Sequence, residues 1–352
     1  MSFTDAFSSN LSFPVLVADI GGTNARFALV SSPDAELEIC SATATADYPD
    51  ISAAIEANLH HFKDLRPKTA IVAVAGPVTG DRIPLTNAAW VIEPLDMIVK
   101  LGLEDVIILN DFEAQALALA GYKGADIEAI GTTTPSSVDP ANATKFVLGP
   151  GTGLGAAAMI RAAGTWVPVP GEGGHVEIGP VDAEDYQIWP HIEFYGGRLG
   201  AEQILSGTGL PRLARGVAAS KSMTRSFNTA SDITAAASDG DEVAVTTLQV
   251  FSRALGRLAG DFALSLLARG GVYLTGGVTA RIDQFLIDGS FRRSFEAKAP
   301  HDALMRSIPT FIVRHPNPAL EGLAAYARMP SAFAVETGGR IWNKSQVLTS
   351  AG

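Results

Sequence analysis

Asp19-Ile20-Gly21-Gly22-Thr23-Asn24-Ala25-Arg26-Phe27-Ala28-Leu29 and Leu148-Gly149-Pro150-Gly151-Thr152-Gly153-Leu154-Gly155-Ala156-Ala157 read as two copies of one device. Each follows a short run of strand formers, 15–18 in the first case and 146–148 in the second, and each leads into another apolar run. A Gly-Thr turn between two strands presents backbone N–H groups with no side chain in the way, which suits phosphate oxygens. An ordinary hairpin explains one such turn. Two in matched context imply a duplicated fold that grips a polyphosphate from both sides.

Outward from these turns, strands alternate with helices along the whole chain, which predicts an α/β architecture. Residues 71–75 read as a short buried strand ending at Gly76-Pro77, and 106–109 as another that runs into Asn110-Asp111. The alanine- and leucine-rich stretch 112–120 predicts a helix with Asn110 or Asp111 at its N-cap. Segment 125–143 is rich in Thr, Ser, Pro and Asn and reads as a loop. Leu248, Phe251, Leu255, Leu258, Phe262 and Leu266 recur every three or four residues, an amphipathic helix. Gly270-Gly271 ends it, the buried strand 272–275 follows, and Gly276-Gly277 closes that strand. A last helix covers 318–327, and the final twenty or so residues show no pattern.

The chain has 352 residues, 47% of them hydrophobic and 18% charged, so it is long enough for two domains with separate cores. A formal net charge of -11 without a Lys/Arg cluster argues against nucleic acid or an anionic membrane as the main partner. Its one cysteine, Cys40, allows neither an internal disulfide nor a structural zinc cluster. The start reads as no signal peptide, and the apolar runs are too short for a membrane span. The expectation is a soluble cytoplasmic protein.

Several side chains near these turns could carry chemistry. Asp19, beside the first turn, could hold Mg²⁺ directly or through water, although a turn Asp that bonds its own backbone is common. Asp111 lies between a buried strand and a helix, at the carboxyl end of a sheet where α/β ligands gather. Phosphoryl transfer to an alcohol needs one carboxylate to take the hydroxyl proton, and an aspartate of ordinary pKa is ionised at pH 7. A plain helix cap is the simpler role for it. In Gly171-Glu172-Gly173-Gly174-His175-Val176-Glu177, Glu172 and His175 could reach one polyol. The His-x-Glu pair imitates half of a zinc deaminase signature, but the cysteines of that signature are missing. Glu202 opens a segment read as a short helix, where a surface glutamate is ordinary, and Asn87 reads as a turn residue. Gly276 and Gly277 would admit a flat ligand such as adenine.

Together these stretches resemble the bacterial glucokinase family of the sugar kinase, actin and chaperone superfamily, over about residues 14–327. ADIGGTNARFAL is similar to that family's first phosphate motif, LNDFEAQALAL to its catalytic segment and LGPGTGLGAA to its second phosphate motif. GEGGHVEIGP resembles the sugar loop and VYLTGGV the adenosine motif. The resemblance implies duplicated ribonuclease H-like (actin-like ATPase) domains, each a mixed five-stranded sheet with flanking helices, around a central cleft. It implies a small domain, 14–109 plus 318–352, and a large one, 110–317. It implies ATP and Mg²⁺ as cofactors, D-glucose as substrate and a homodimer. Asp111 becomes the general base on the sugar 6-hydroxyl, while Asn87, Asn110, Glu172, His175 and Glu202 bind glucose. Ala18, Asp19, Ile20, Gly21, Gly22 and Thr23, with Gly151, Thr152, Gly153, Gly276 and Gly277, become the ATP contacts, and Asp19 the Mg²⁺ residue, through water.

Ala18 stands where the family commonly has glycine, and Gln203 where it often has arginine. Three rivals remain at this level. An actin- or chaperone-like ATPase would share both phosphate turns but lack a polyol loop. A kinase for another hexose is hard to separate from one for glucose. A dinucleotide oxidoreductase would use Gly151 to Ala156 alone and should show a ribose-binding acid at the next strand end.

Overall fold

Val15–Ile20 is buried along almost its whole length, as expected of a strand covered on both faces. The computed structural model describes residues 11–350 apart from Asp64, Thr86, Asn87 and Ser137, with backbone only over 348–350. Contacts divide the chain into two units. One comprises the described parts of Met1–Tyr122, Met159–Pro170 and Pro316–Gly352, and the other Lys123–Ala158 with Gly171–His315.

The first unit is built on β1 (Val15–Ile20), β2 (Asn24–Val30), β3 (Thr69–Val74) and β4 (Asp105–Asn110). β2 returns antiparallel to β1, while β3 lies parallel to β1 and β4 parallel to β3. Short strands complete a seven-stranded sheet: Glu38–Ile39 and Thr43–Ala44 pair with β2, and Ile341–Asn343 pairs antiparallel with β4. Leu16, Phe27, Leu29, Val72, Ile108 and Trp342 belong to one core on this sheet. The helix Asp111–Ala118 leaves the end of β4 directly and packs against the helix Pro318–Arg328.

The other sheet is built on β5 (Lys145–Pro150), β6 (Leu154–Ala162), β7 (Gly271–Leu274) and β8 (Thr310–Val313), of which β5, β7, β8 and the start of β6 lie in the second unit. It is six-stranded and runs Thr165–Gly171, β6, β5, β7, β8, Ile127–Ala129, with β5, β7 and β8 parallel and Ile127–Ala129 antiparallel to β8. The amphipathic helix extends over Glu242–Leu266, opened by the Asp241 side chain on the Ala244 N–H and closed by Leu267 in the left-handed region. Phe251 and Leu255 on its inner face are fully buried, and Phe262 stacks on Phe146 at 4.7 Å between centroids.

Mixed sheets with flanking helices agree with the expected fold class. Seven and six strands replace the expected five in each. Four of these are edge strands of two or three residues, too short to show alternation in a sequence. Segment 125–143, which reads as a loop, and the tail, which shows no pattern, each supply one of them.

Candidate active site

Strand register brings the first group of expected residues together. Ile20 pairs with Val74 and Val74 with Asn110, so three parallel strands end level. Their carboxyl ends present the Asp19–Thr23 turn, Gly76 and Asn110-Asp111 side by side. The turn is tight: the Gly21 N–H donates to the Asn24 carbonyl at 2.9 Å, and Thr45 Oγ1 donates to the Gly22 carbonyl at 3.0 Å. Asp19 lies near the end of β1, before this turn, with Arg26 Nη1 at 3.4 Å, and burial holds its carboxyl above the usual range against the pull of Arg26. Ala18 and Ile20 are buried in the sheet, within a strand paired to β2 on one side and to β3 on the other.

The cap at the helix start is Asn110. Its Oδ1 accepts from the N–H groups of Phe112 at 2.9 Å and Glu113 at 3.3 Å, and its Nδ2 donates to the Gly76 carbonyl at 3.4 Å. Asp111 follows at the first helical position, half-buried, with Oδ1 accepting from the Phe112 N–H at 3.0 Å. Capping therefore falls to Asn110, and a carboxylate in the first turn suits the positive end of the helix.

The second unit gathers the rest. The Gly151 N–H donates to the Gly153 carbonyl at 2.8 Å, and the Gly151 carbonyl accepts from the Gly207 N–H at 2.8 Å. Gly276, at φ +92°, lies so close to Pro150 that a Cβ would meet the Pro150 carbonyl at 2.5 Å. The second glycine turn and the Gly276-Gly277 corner are thus neighbours, and both corner glycines are exposed. In the Glu172–His175 loop, a Cβ on Gly174 would strike the Leu154 carbonyl, and one on Gly173 would meet Ala156 and Phe262 at 2.8 and 2.9 Å. That close seat leaves Glu172 and His175 exposed, with His175 Nε2 3.6 Å from Glu172 Oε2. Glu202 reaches the same place from a single 3-10 turn, Ala201–Gln203, rather than from a surface helix. Its Oε2 accepts from the Leu154 N–H at 2.7 Å and lies where a Cβ on Gly153 would be. Asn87 lies outside the described residues. No group of three or more His, Cys, Asp or Glu among the described residues forms a metal cluster.

A glucokinase family model matches residues 16–330. The chain belongs to the glucokinase family. It is 49% identical to a glucokinase of Rhizobium etli over 335 residues, covering 95% of this chain and 97% of that one. Against a glucokinase of Brucella suis it is 52% identical over 331 residues, covering 94% and 95%. The crystal structure of a glucokinase from an Antarctic psychrotroph matches with a TM-score of 0.79 and 31% identity, over 89% of this chain and 98% of that one. Members of the glucokinase family are enzymes that transfer a phosphoryl group from ATP to glucose.

Two features of this glucokinase-family site escape the sequence. Glu113 is fully buried behind Asn110 and receives Arg340 at 2.6 and 3.3 Å. Burial pushes its carboxyl upward, while Arg340 and the Asn110 backbone N–H pull it back. Asn110-x-x-Glu113 is a capping-box spacing that could have marked Glu113, whereas nothing local marks Arg340. In the second unit, Asp185 is fully buried against Arg257 Nη1 at 2.7 Å, and Arg257 Nη2 also donates to the Gly179 carbonyl at 3.4 Å. That pair fastens the end of the GEGGHVEIGP loop to the helix Glu242–Leu266.

Proposed function

We propose that this chain phosphorylates D-glucose at its 6-hydroxyl, with Asp111 as general base and ATP as donor. The carrying observation is the level ending of β1, β3 and β4, where Asp111 stands beside a glycine turn while Asn110 takes the capping duty. As the 6-oxygen attacks the γ-phosphorus, a carboxylate oxygen of Asp111 accepts the hydroxyl proton. A new P–O bond forms to the sugar, the bond to the bridging oxygen breaks, and ADP leaves with that electron pair. Glu172 and Glu202 accept from sugar hydroxyls, His175 donates from a ring N–H, and Asn110 and Asn87 complete the contacts. A wrong epimer would leave some of these groups unpaired, which supports discrimination by hydroxyl stereochemistry.

Ala18 to Thr23 and Gly151 to Gly153 would take the ATP phosphates through backbone N–H groups, with Gly276 and Gly277 against the adenosine. Asp19 fits Mg²⁺ held through water. Its carboxylate is costly to ionise as it stands, with one guanidinium contact at 3.4 Å, so a cation beside it is favourable. Bound Mg²⁺ would neutralise charge on the phosphates. A homodimer and a cytoplasmic location remain part of this reading. No helix among the described residues is long and apolar enough to cross a membrane.

Asp111→Asn tests the assignment of the base. Its kcat should fall by about 10²–10⁴-fold, the usual worth of a positioned acid or base, while glucose binding measured by calorimetry stays near wild type. A variant with undiminished kcat would remove Asp111 from the mechanism.

A further inference from the structure

Arg340 holds the chain on both sides of Asp111. Its carbonyl accepts from the Ile108 N–H at 3.0 Å, three residues before the aspartate, at the point where Ile341 begins pairing with β4. Its guanidinium forms two bonds to Glu113, two residues after the aspartate, at 2.6 and 3.3 Å. Glu113 is fully buried, and the Arg340 side chain is 14% exposed. Glu113 is in turn tied to the cap, since its own N–H donates to Asn110 Oδ1 at 3.3 Å. One residue of the C-terminal segment therefore braces the strand end and the first helical turn between which Asp111 is set.

We propose that Glu113 and Arg340 are positioning residues for phosphoryl transfer, fixing the Asp111 carboxylate at the helix start without touching either substrate. The proposal rests on the reading of Asp111 as the base. A fork of two charge-assisted bonds restricts rotation of the helix turn in a way that a single bond or an apolar contact does not. The backbone pairing of Ile341–Asn343 with β4 supplies much of the local stability and survives a change of side chain, so the two contributions can be separated. Misplacement of a reacting group by even a fraction of an ångström is felt in turnover more than in substrate binding.

The test uses the full chain with E113Q/R340M, Arg340→Lys and Asp111→Asn, reading kcat, KM for glucose and melting temperature. In the double variant no charge is left buried without a partner, so it should melt close to wild type. Its kcat should nevertheless fall about tenfold or more, with KM for glucose within about threefold. Arg340→Lys, which keeps the charge and one bond, should recover part of the turnover. Wild-type kcat in a folded double variant would overturn the proposal. So would a fall in kcat fully accounted for by fewer glucose-binding sites on titration. Full kcat in Asp111→Asn would overturn the reading of the base, whereas an inactive Asp111→Asn beside a fully active double variant would overturn the pair alone.

Discussion

Asp19 is half-buried at a cost in stability, which its proposed role beside Mg²⁺ would account for. Burial raises its carboxyl, and Arg26 compensates only in part. A carboxylate whose pKa is higher in the folded than in the unfolded protein gives its full contribution below the unfolded value and loses it as pH rises through the folded value. Relative to Asp19→Asn, the wild type should therefore lose melting temperature as pH rises from the usual carboxylate range through that raised value. Above it, Asp19→Asn should be the more stable protein and a poor enzyme. MgATP should raise the melting temperature of the wild type more than that of the variant. Equal shifts would separate Asp19 from the metal. At this scale the sequence was informative about which residues to watch, because glycine turns and carboxylates at strand ends are local features. The partners were not legible: the Glu202 bond to the Leu154 N–H spans 48 positions and the Glu113–Arg340 pair 227.

Among the elements, the helix Asp111–Ala118 depends on a close neighbour. Gly322 of the helix Pro318–Arg328 approaches so nearly that a Cβ would strike the Ala114 carbonyl and lie 2.8 Å from the Ala118 nitrogen. Gly322→Ala would gain about 0.5–1 kcal/mol in helix propensity, but overpacking against backbone costs about 1–3 kcal/mol or more. The overpacking should win, lowering stability in urea. Unchanged stability would mean that the two helices separate easily. Strands β1 to β5 and the long helix were visible in the sequence because each is long enough to show its burial pattern. The sequence predicts a short helix over 202–209 that ends in a turn, whereas the structure has one 3-10 turn, Ala201–Gln203, followed by a strap on the second glycine turn. Ser206 Oγ donates to the Glu202 carbonyl at 2.7 Å, and Thr208 Oγ1 donates to the Thr152 carbonyl at 3.0 Å. The Thr208 bond, to a residue 56 positions away, belongs to tertiary structure, and no period in the sequence announces it. The same holds for Ile341–Asn343, three residues whose pairing with Ile107, Val106 and Asp105 no pattern of their own announces.

For the molecule as a whole, the duplicated glycine turns carried the fold class correctly, since each marks the return from a first strand to a second. The strand count was less legible, because edge strands of two or three residues exist only where a neighbour offers unpaired N–H and C=O groups. The chemistry likewise emerges only when each unit is assembled: the first sheet brings Asp19 and Asp111 to one edge, and the second gathers Glu172, His175 and Glu202 about Leu154. The most direct test of the whole account is a single reaction of purified protein with MgATP and glucose in which ADP and glucose 6-phosphate are both quantified. The account predicts equal amounts of the two products, and neither above background in Asp111→Asn. ADP released without phosphorylated sugar would contradict it and leave an ATPase of the same fold.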